Sequence, residues 1–265
     1  MFSVDLQYQV VDHCDLNCAG CDHCAPLADP WFVDVDVFEH DLTAIANVVN
    51  VTEVNLYGGE PLLHPGLMQL LGVARRVCRD AKLVVKTNGL RLRAVLAQAT
   101  FRQVVDVTRT RFKITEYPAT AGLVDETNAL FPGLVEHASR VPGEADVVEP
   151  KRCMYRVRLH SPDEQHHTMA EQRQRCFCLP YETPCLRVRA GLVYPCPVAM
   201  CAPLFLRRWL PGLPDVGVRV DDLTESVAER MCSAPCAMCA WCADPEFNVP
   251  WVLSTMDKTE WIEGD

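Results

Sequence analysis

Cys14-Asp15-Leu16-Asn17-Cys18-Ala19-Gly20-Cys21 follows at once on residues 5–11, an apolar run that reads as a β-strand. Three thiols at spacings of four and three cannot avoid one another in so short a loop. They suit a loop that wraps thiolates around one small inorganic core. Iron–sulfur cubes are held by cysteine thiolates, normally four of them. Three in one loop leave one corner open, and an open position on a metal centre is where ligands bind.

The companion stretch is Glu53-Val54-Asn55-Leu56-Tyr57-Gly58-Gly59-Glu60-Pro61, a strand running straight into paired glycines and a carboxylate. Glycine lets backbone approach a ligand closely and adopt dihedrals other residues avoid. A carboxylate can accept a charge-assisted hydrogen bond from an ammonium group. The Cys-x3-Cys-x2-Cys loop and the Gly-Gly-Glu-Pro edge, in this order, resemble the two signatures of the radical S-adenosylmethionine (SAM) superfamily. The resemblance implies a [4Fe-4S] cluster on Cys14, Cys18 and Cys21 whose open iron chelates SAM. It also implies docking of the methionyl end by Gly58, Gly59 and Glu60, with Asn88 helping to position the nucleoside. Many members carry an aromatic residue just before the third cysteine; this chain has Gly20.

Working outward, apolar residues recur at helical spacing over 36–50, where Phe38, Leu42, Ile45 and Val49 share a face. Strands are expected at 51–57, 82–87, 111–117 and 134–141, and helices at 65–80, 91–99 and 120–130. Residues 103–110 fit a helix better than a strand, because Phe101, Val104, Val105 and Thr108 follow the helical period. Strands alternating with helices imply parallel β/α units. Five or six units in the first ~175 residues cannot close an eightfold barrel, which needs at least ~200. The expected fold is therefore α/β, a partial (β/α)6-type open barrel with a small cysteine-rich C-terminal extension. The resemblance implies the same fold. In parallel β/α folds chemistry gathers at the C-terminal strand ends. Cys14, Gly58, Asn88 and Tyr117 all fall there on this reading.

The expected division is a core over 1–175 and a cysteine-rich unit over 176–265. Residues 142–175 read as a polar connector, and its histidines His160, His166 and His167 show no metal-ligand spacing.

The chain of 265 residues holds 15 cysteines bunched towards its two ends. Clustering favours metal sites in a reducing compartment over a disulfide framework. Residues 1–5 show no basic region followed by an apolar run, so a cytoplasmic protein without a signal peptide is expected. The longest uncharged run, 192–206, is broken by Pro195, Pro197 and Pro203 and too short for a bilayer. A net charge of −10 argues against a broad nucleic-acid surface.

The second cysteine group includes Cys185, Gly191 and Cys196, then Cys232, Cys236, Cys239 and Cys242. A small hairpin could bring two pairs together around one cluster. Gly-x4-Cys followed by Cys-x2-Cys resembles the SPASM and twitch extensions of radical SAM enzymes. This implies one auxiliary [4Fe-4S] cluster on Cys185, Cys196, Cys239 and Cys242, with Cys236 the rival for one place. By spacing alone, zinc suits the same pairs. The other cysteines, Cys176 among them, read as small buried hydrophobes. Cys24 and Cys201 lie beside the two cysteine groups and are candidate hydrogen donors.

Reductive cleavage of SAM would give a 5′-deoxyadenosyl radical that removes a hydrogen atom from an unactivated C–H bond. The blocks Ile114-Thr115-Glu116-Tyr117-Pro118, Val249-Pro250-Trp251 and Cys21 to Leu27 are similar to a branch associated with carbohydrate and natural-product pathways. That points to a small polar substrate, a sugar, aminocyclitol or nucleoside, and to epimerisation or to an oxidoreductase outcome, dehydrogenation. The electron donor would be a flavodoxin or ferredoxin. Alternatives are modification of a ribosomally made peptide and a non-catalytic zinc-binding interaction module.

Overall fold

A computed structural model describes residues 1–137, 153–161, 167–176 and 184–263. Five strands alternate with helices in the first half: β1 (Ser3–Val11), β2 (Asn50–Gly58), β3 (Lys82–Thr87), β4 (Thr110–Ile114) and β5 (Val135–His137). The helices between them are α1 (Val35–Ala46), α2 (Leu67–Val77), α3 (Leu92–Leu96), α4 (Ala99–Thr108) and α5 (Leu123–Leu130). Asp34 starts α1 by accepting the Asp36 N–H at 2.8 Å, an ordinary N-cap. The ambiguous stretch 103–110 is helical through Thr108. β4 stops at Ile114, three residues short of the expected end, and the expected strand beyond His137 lies outside the described residues.

Among the described residues the main sheet has eight strands, in the order β5-β4-β3-β2-β1-β7-β8-β9. Here β7 is Cys185–Arg189, β8 Leu192–Tyr194 and β9 Val218–Arg219. All neighbours from β5 to β7 are parallel; β8 and β9 add antiparallel strands at the edge. The sheet is open. Its sixth parallel strand follows β1 on the far side from β2, so the cysteine-rich segment contributes a strand to the same sheet. Ala190-Gly191 makes the β7–β8 turn, with Gly191 at φ +83°.

One face of the sheet is apolar and covered by helices. Leu6, Tyr8, Leu56, Leu83, Val85, Phe112, Leu186 and Val188 meet Phe38, Leu42, Leu70, Leu71 and Val105 in a single core. Each such side chain contributes roughly 1.5–3 kcal/mol by leaving water.

The stretch 142–175 holds more structure than a connector. β6 (Cys153–Arg156) pairs antiparallel with β10 (Glu246–Pro250), and α6 (Met169–Arg175) starts at a Thr168–Glu171 capping box. His160 is buried, its ring nitrogens against Ser161 O at 2.7 Å and Cys242 O at 3.2 Å. No helix among the described residues is long and apolar enough to cross a membrane.

Candidate active site

The β1–β2 ladder does not stop where the strands do. Gly59 N donates to Val11 O at 2.8 Å, and Glu60 N donates to His13 O at 3.0 Å. Both glycines are needed for that approach. A Cβ on Gly58 would stand 2.1 Å from Val11 O, and one on Gly59 1.9 Å from His13 O. The space they clear is filled by the backbone that leads into the Cys14 loop.

Glu60 is fully buried. Its Oε1 accepts from Leu62 N at 2.9 Å and Thr87 Oγ1 at 2.7 Å, and its Oε2 from Asn88 N at 2.9 Å. Burial lifts its pKa to about 7 against those three donors. Glu60 thus braces the end of β2 to the end of β3. Asn88 carries the brace onward: its Nδ2 donates to Asp15 Oδ1 at 2.8 Å and approaches Cys14 Sγ at 3.6 Å. Arg91 Nε holds the other Asp15 oxygen at 2.7 Å.

The sulfurs of this loop face N–H groups. Leu16 N points at Cys14 Sγ at 3.4 Å, and Trp251 Nε1 donates to Cys18 Sγ at 3.1 Å. Backbone hydrogen bonds from Ala25 and His23 reach Cys21. Burial raises the Cys14 thiol to about 11 and Cys21 further. Such thiols stay protonated until a cation takes them, and ligation deprotonates them. Soft sulfur donors ringed by N–H groups fit an iron–sulfur cluster.

A later stretch closes over the loop. Ala19 N donates to Val252 O at 3.0 Å, Ser254 N to Asn17 O at 2.8 Å, and Trp261 Nε1 to Cys21 O at 2.9 Å. Gly20 has φ +62°, and a Cβ there would lie 2.8 Å from Arg156 Cδ and 3.2 Å from Glu260 O. An aromatic side chain has no room before Cys21. Trp251 and Tyr117 instead pack beside the loop, 5.8 Å between ring centroids.

Cys176, Cys196, Cys236, Cys239 and Cys242 line one cavity, with Gln172, Arg173 and Met238. Cys196 caps α7 (Pro197–Phe205), its Sγ accepting Ala199 N at 3.3 Å, while burial pushes its thiol up to about 12. Cys236 and Cys239 Sγ are 3.9 Å apart. Cys185 lies elsewhere. Strand β7 places it opposite Asp5, on the same face as Arg187, and its carbonyl takes the Cys232 thiol at 3.7 Å. Cys185 is not among the residues that line the cavity, whereas Cys176, at the end of α6, is. Its signal was the Thr168–Glu171 capping box about two turns earlier, which marks the start of the helix that Cys176 caps.

The two candidate donors both lie buried with Tyr57 in a second apolar cluster. Cys201 points its thiol at Gln9 Oε1, 3.6 Å away, and burial pushes both thiols well above their usual range. The motif stretches contain Asp15, Tyr57 and Trp251 without assigning them a role, and Lys86 lies in an expected strand with no signal of its own.

Residues 7–117 match the family described as 4Fe-4S single cluster domain, a span that contains both motifs. Over 100 residues the chain is 31% identical to GTP 3′,8-cyclase of Streptomyces coelicolor. The match covers 34% of this chain and 28% of that relative, so the chain spans well under a third of its length. Among solved structures, BtrN in complex with AdoMet and 2-DOIA aligns over 88% of this chain and 83% of that one, with TM-score 0.49 and 13% identity. Streptococcus suis SuiB bound to S-adenosylmethionine aligns over 88% and 66%, with TM-score 0.45 and 13% identity.

Proposed function

We propose, for a chain whose residues 7–117 match a 4Fe-4S single cluster domain and whose motifs are those of radical SAM proteins, a radical SAM enzyme acting on a small polar molecule. The observation that carries it is the pair of backbone bonds from Gly59 and Glu60 to Val11 and His13, which fixes the three-thiol loop against the glycine edge.

Cys14, Cys18 and Cys21 would hold the cluster. When bound, cluster and SAM supply a hydrogen-abstracting radical; the protein orients the substrate and excludes competing donors. Gly58, Gly59 and Asn88 flank the loop where the methionyl and nucleoside groups would dock. Glu60 serves that edge as a brace, since its two oxygens already take three protein donors. Cys176, Cys196, Cys239 and Cys242, with Cys236 as the rival, fit an auxiliary cluster as a set of soft donors around one cavity. Burial of Cys24 and Cys201 beside Tyr57 supports a return of hydrogen from a thiol, hence epimerisation, over dehydrogenation.

Protein reconstituted anaerobically and given dithionite and SAM should release 5′-deoxyadenosine, and Cys18→Ala should abolish it. No 5′-deoxyadenosine above a protein-free control, with zinc in place of iron, would favour a metal-binding interaction module. Turnover in D2O separates the outcomes: deuterium at one carbon without oxidation marks epimerisation, and a product two hydrogens lighter marks dehydrogenation.

A further inference from the structure

The face of the sheet opposite the helix-covered core is polar. β1 presents Gln7 and Gln9, β2 presents Asn55 and Tyr57, β3 Lys86, β4 Lys113, and β7 Arg187. Gln7 sits in register with both Asn55 and Arg187, and Lys86 with Lys113. Parallel strands buried on both faces are ordinarily apolar on both. These are not, although Gln7, Gln9, Asn55 and Arg187 are all buried.

The cations on this face differ in their partners, and Asp5 of β1 and Glu53 of β2 lie on the same face. Lys113 is paired with Glu53 at 3.0 Å, and Arg189 grips Asp12 with two bonds of 3.0 and 2.6 Å. Among the described residues Lys86 has no ion pair and no side-chain hydrogen bond. Burial first, then Arg187 and Lys113, disfavour its protonation, and Glu53 and Cys185 offset them in part; Asp5 also lies within electrostatic reach. A buried ammonium with no bonded anion is stabilised when an anion joins it, and Lys86 is such a group.

Neutral groups on or beside this wall also carry unpaired atoms. Tyr57 OH is buried without a hydrogen-bond partner among the described residues, and so are His23 Nδ1 and Asn55 Oδ1. The Tyr57 ring lies 5.9 Å below the Arg187 guanidinium and 4.7 Å edge-on from His23. A buried hydroxyl is ordinarily satisfied, so an unpaired one calls for an explanation such as a ligand. Lys86 also immediately precedes Thr87 and Asn88, the residues that tie Glu60 and Cys14 together.

We propose that this wall is a subsite for an anionic group, phosphate or carboxylate, on a hydroxylated small substrate, with Lys86 and Arg187 supplying charge and Tyr57 a hydrogen bond. Asn55 Oδ1 is placed to accept from a substrate hydroxyl. The inference rests on the small-molecule reading above and narrows its substrate to an anionic one. Charge-assisted bonds are the strong kind, and phosphate and carboxylate share the chemistry that would be recognised.

The test uses reconstituted full-length chain without turnover. Glucose 6-phosphate, glucuronate and glucose are titrated at constant ionic strength, with melting temperature and calorimetric affinity as readouts. At least one of the two anionic sugars should bind and stabilise the wild type, while glucose should not. Lys86→Met should weaken that binding about tenfold to a hundredfold, the loss expected for one charged hydrogen bond, and Lys86→Arg should restore most of it. Binding of only one anion assigns phosphate or carboxylate. Failure of both anions, equal binding of glucose, or a folded Lys86→Met that binds as the wild type does would overturn the proposal. Because no SAM is consumed, this result is independent of the 5′-deoxyadenosine assay, and either can fail alone.

Discussion

The indole Nε1 of Trp251 donates a hydrogen bond to Cys18 Sγ across 3.1 Å, joining residues 233 positions apart. Hydrogen bonds to a ligating sulfur withdraw electron density and tune a cluster's potential. Trp251→Phe keeps the ring against Tyr117 and removes the donor. Its cluster should become harder to reduce, by a shift on the order of tens of millivolts. Potentiometric titration followed by electron paramagnetic resonance measures this. An unchanged potential would show that the bond is not kept when the sulfur carries iron.

Gly59 and Gly72 make a matched pair. Nothing lies within 4 Å of a Cβ placed on Gly72, in the middle of α2, whereas on Gly59 it meets the His13 carbonyl. Gly72→Ala should be stabilising by up to ~1 kcal/mol, the helix preference of alanine. Gly59→Ala should cost at least ~1–3 kcal/mol, as forced overpacking does, and lower iron content as well. Urea unfolding and iron assay of the two variants check both signs.

The cavity of five cysteines predicts which thiols carry a second cluster. Reconstituted wild type should hold about eight irons per chain, two cubes of four. Cys176→Ala should fall to about four, while Cys185→Ala should keep the full load. Iron and sulfide analysis decides it; a full load in Cys176→Ala would return the place to Cys236.

Lys86 makes stability depend on pH in an unusual direction. Burial first, then Arg187 from β7 and Lys113 from β4, lower its pKa from 10.5 to about 7, with Glu53 and Cys185 only partly offsetting them. His23 faces it as well. Between those two values the unfolded chain binds the proton and the folded chain does not, so stability from this group rises with pH. Below about 7 both states are charged and the folded state bears the whole cost. Lys86→Met should therefore melt higher than wild type by a margin that is large at pH 6 and shrinks towards pH 10. Melting curves at both pH values test this; a margin that grows with pH would contradict it.

Much of the first half was legible because its signals are local. Phe38, Leu42 and Ile45 mark the buried face of α1, and the strands before Cys14, Gly58 and Asn88 end where those residues are needed. The second half depends on distant partners. β6 exists by pairing with β10, and Arg156 meets Glu246 at 2.7 Å across 90 residues, so nothing near residues 153–156 announces a strand. That Cys176 rather than Cys185 lines the cysteine cavity was hidden for a related reason. Spacing counts cysteines along the chain, but the helix capped by Cys176 delivers its thiol to the cavity from a separate segment. The charged inner wall was invisible because its members come from separate strands, each supplying one or two unremarkable polar residues.

The clasp over the Cys14 loop sets an order of events during synthesis. Cys14, Cys18 and Cys21 leave the ribosome early, whereas Trp251, Val252 and Trp261 emerge more than 200 residues later. Until then the three thiols lack the residues that shield them from solvent and oxidants. The period in which they are open to a cluster donor is thus also the period in which they are open to damage, and both end when the same indole arrives.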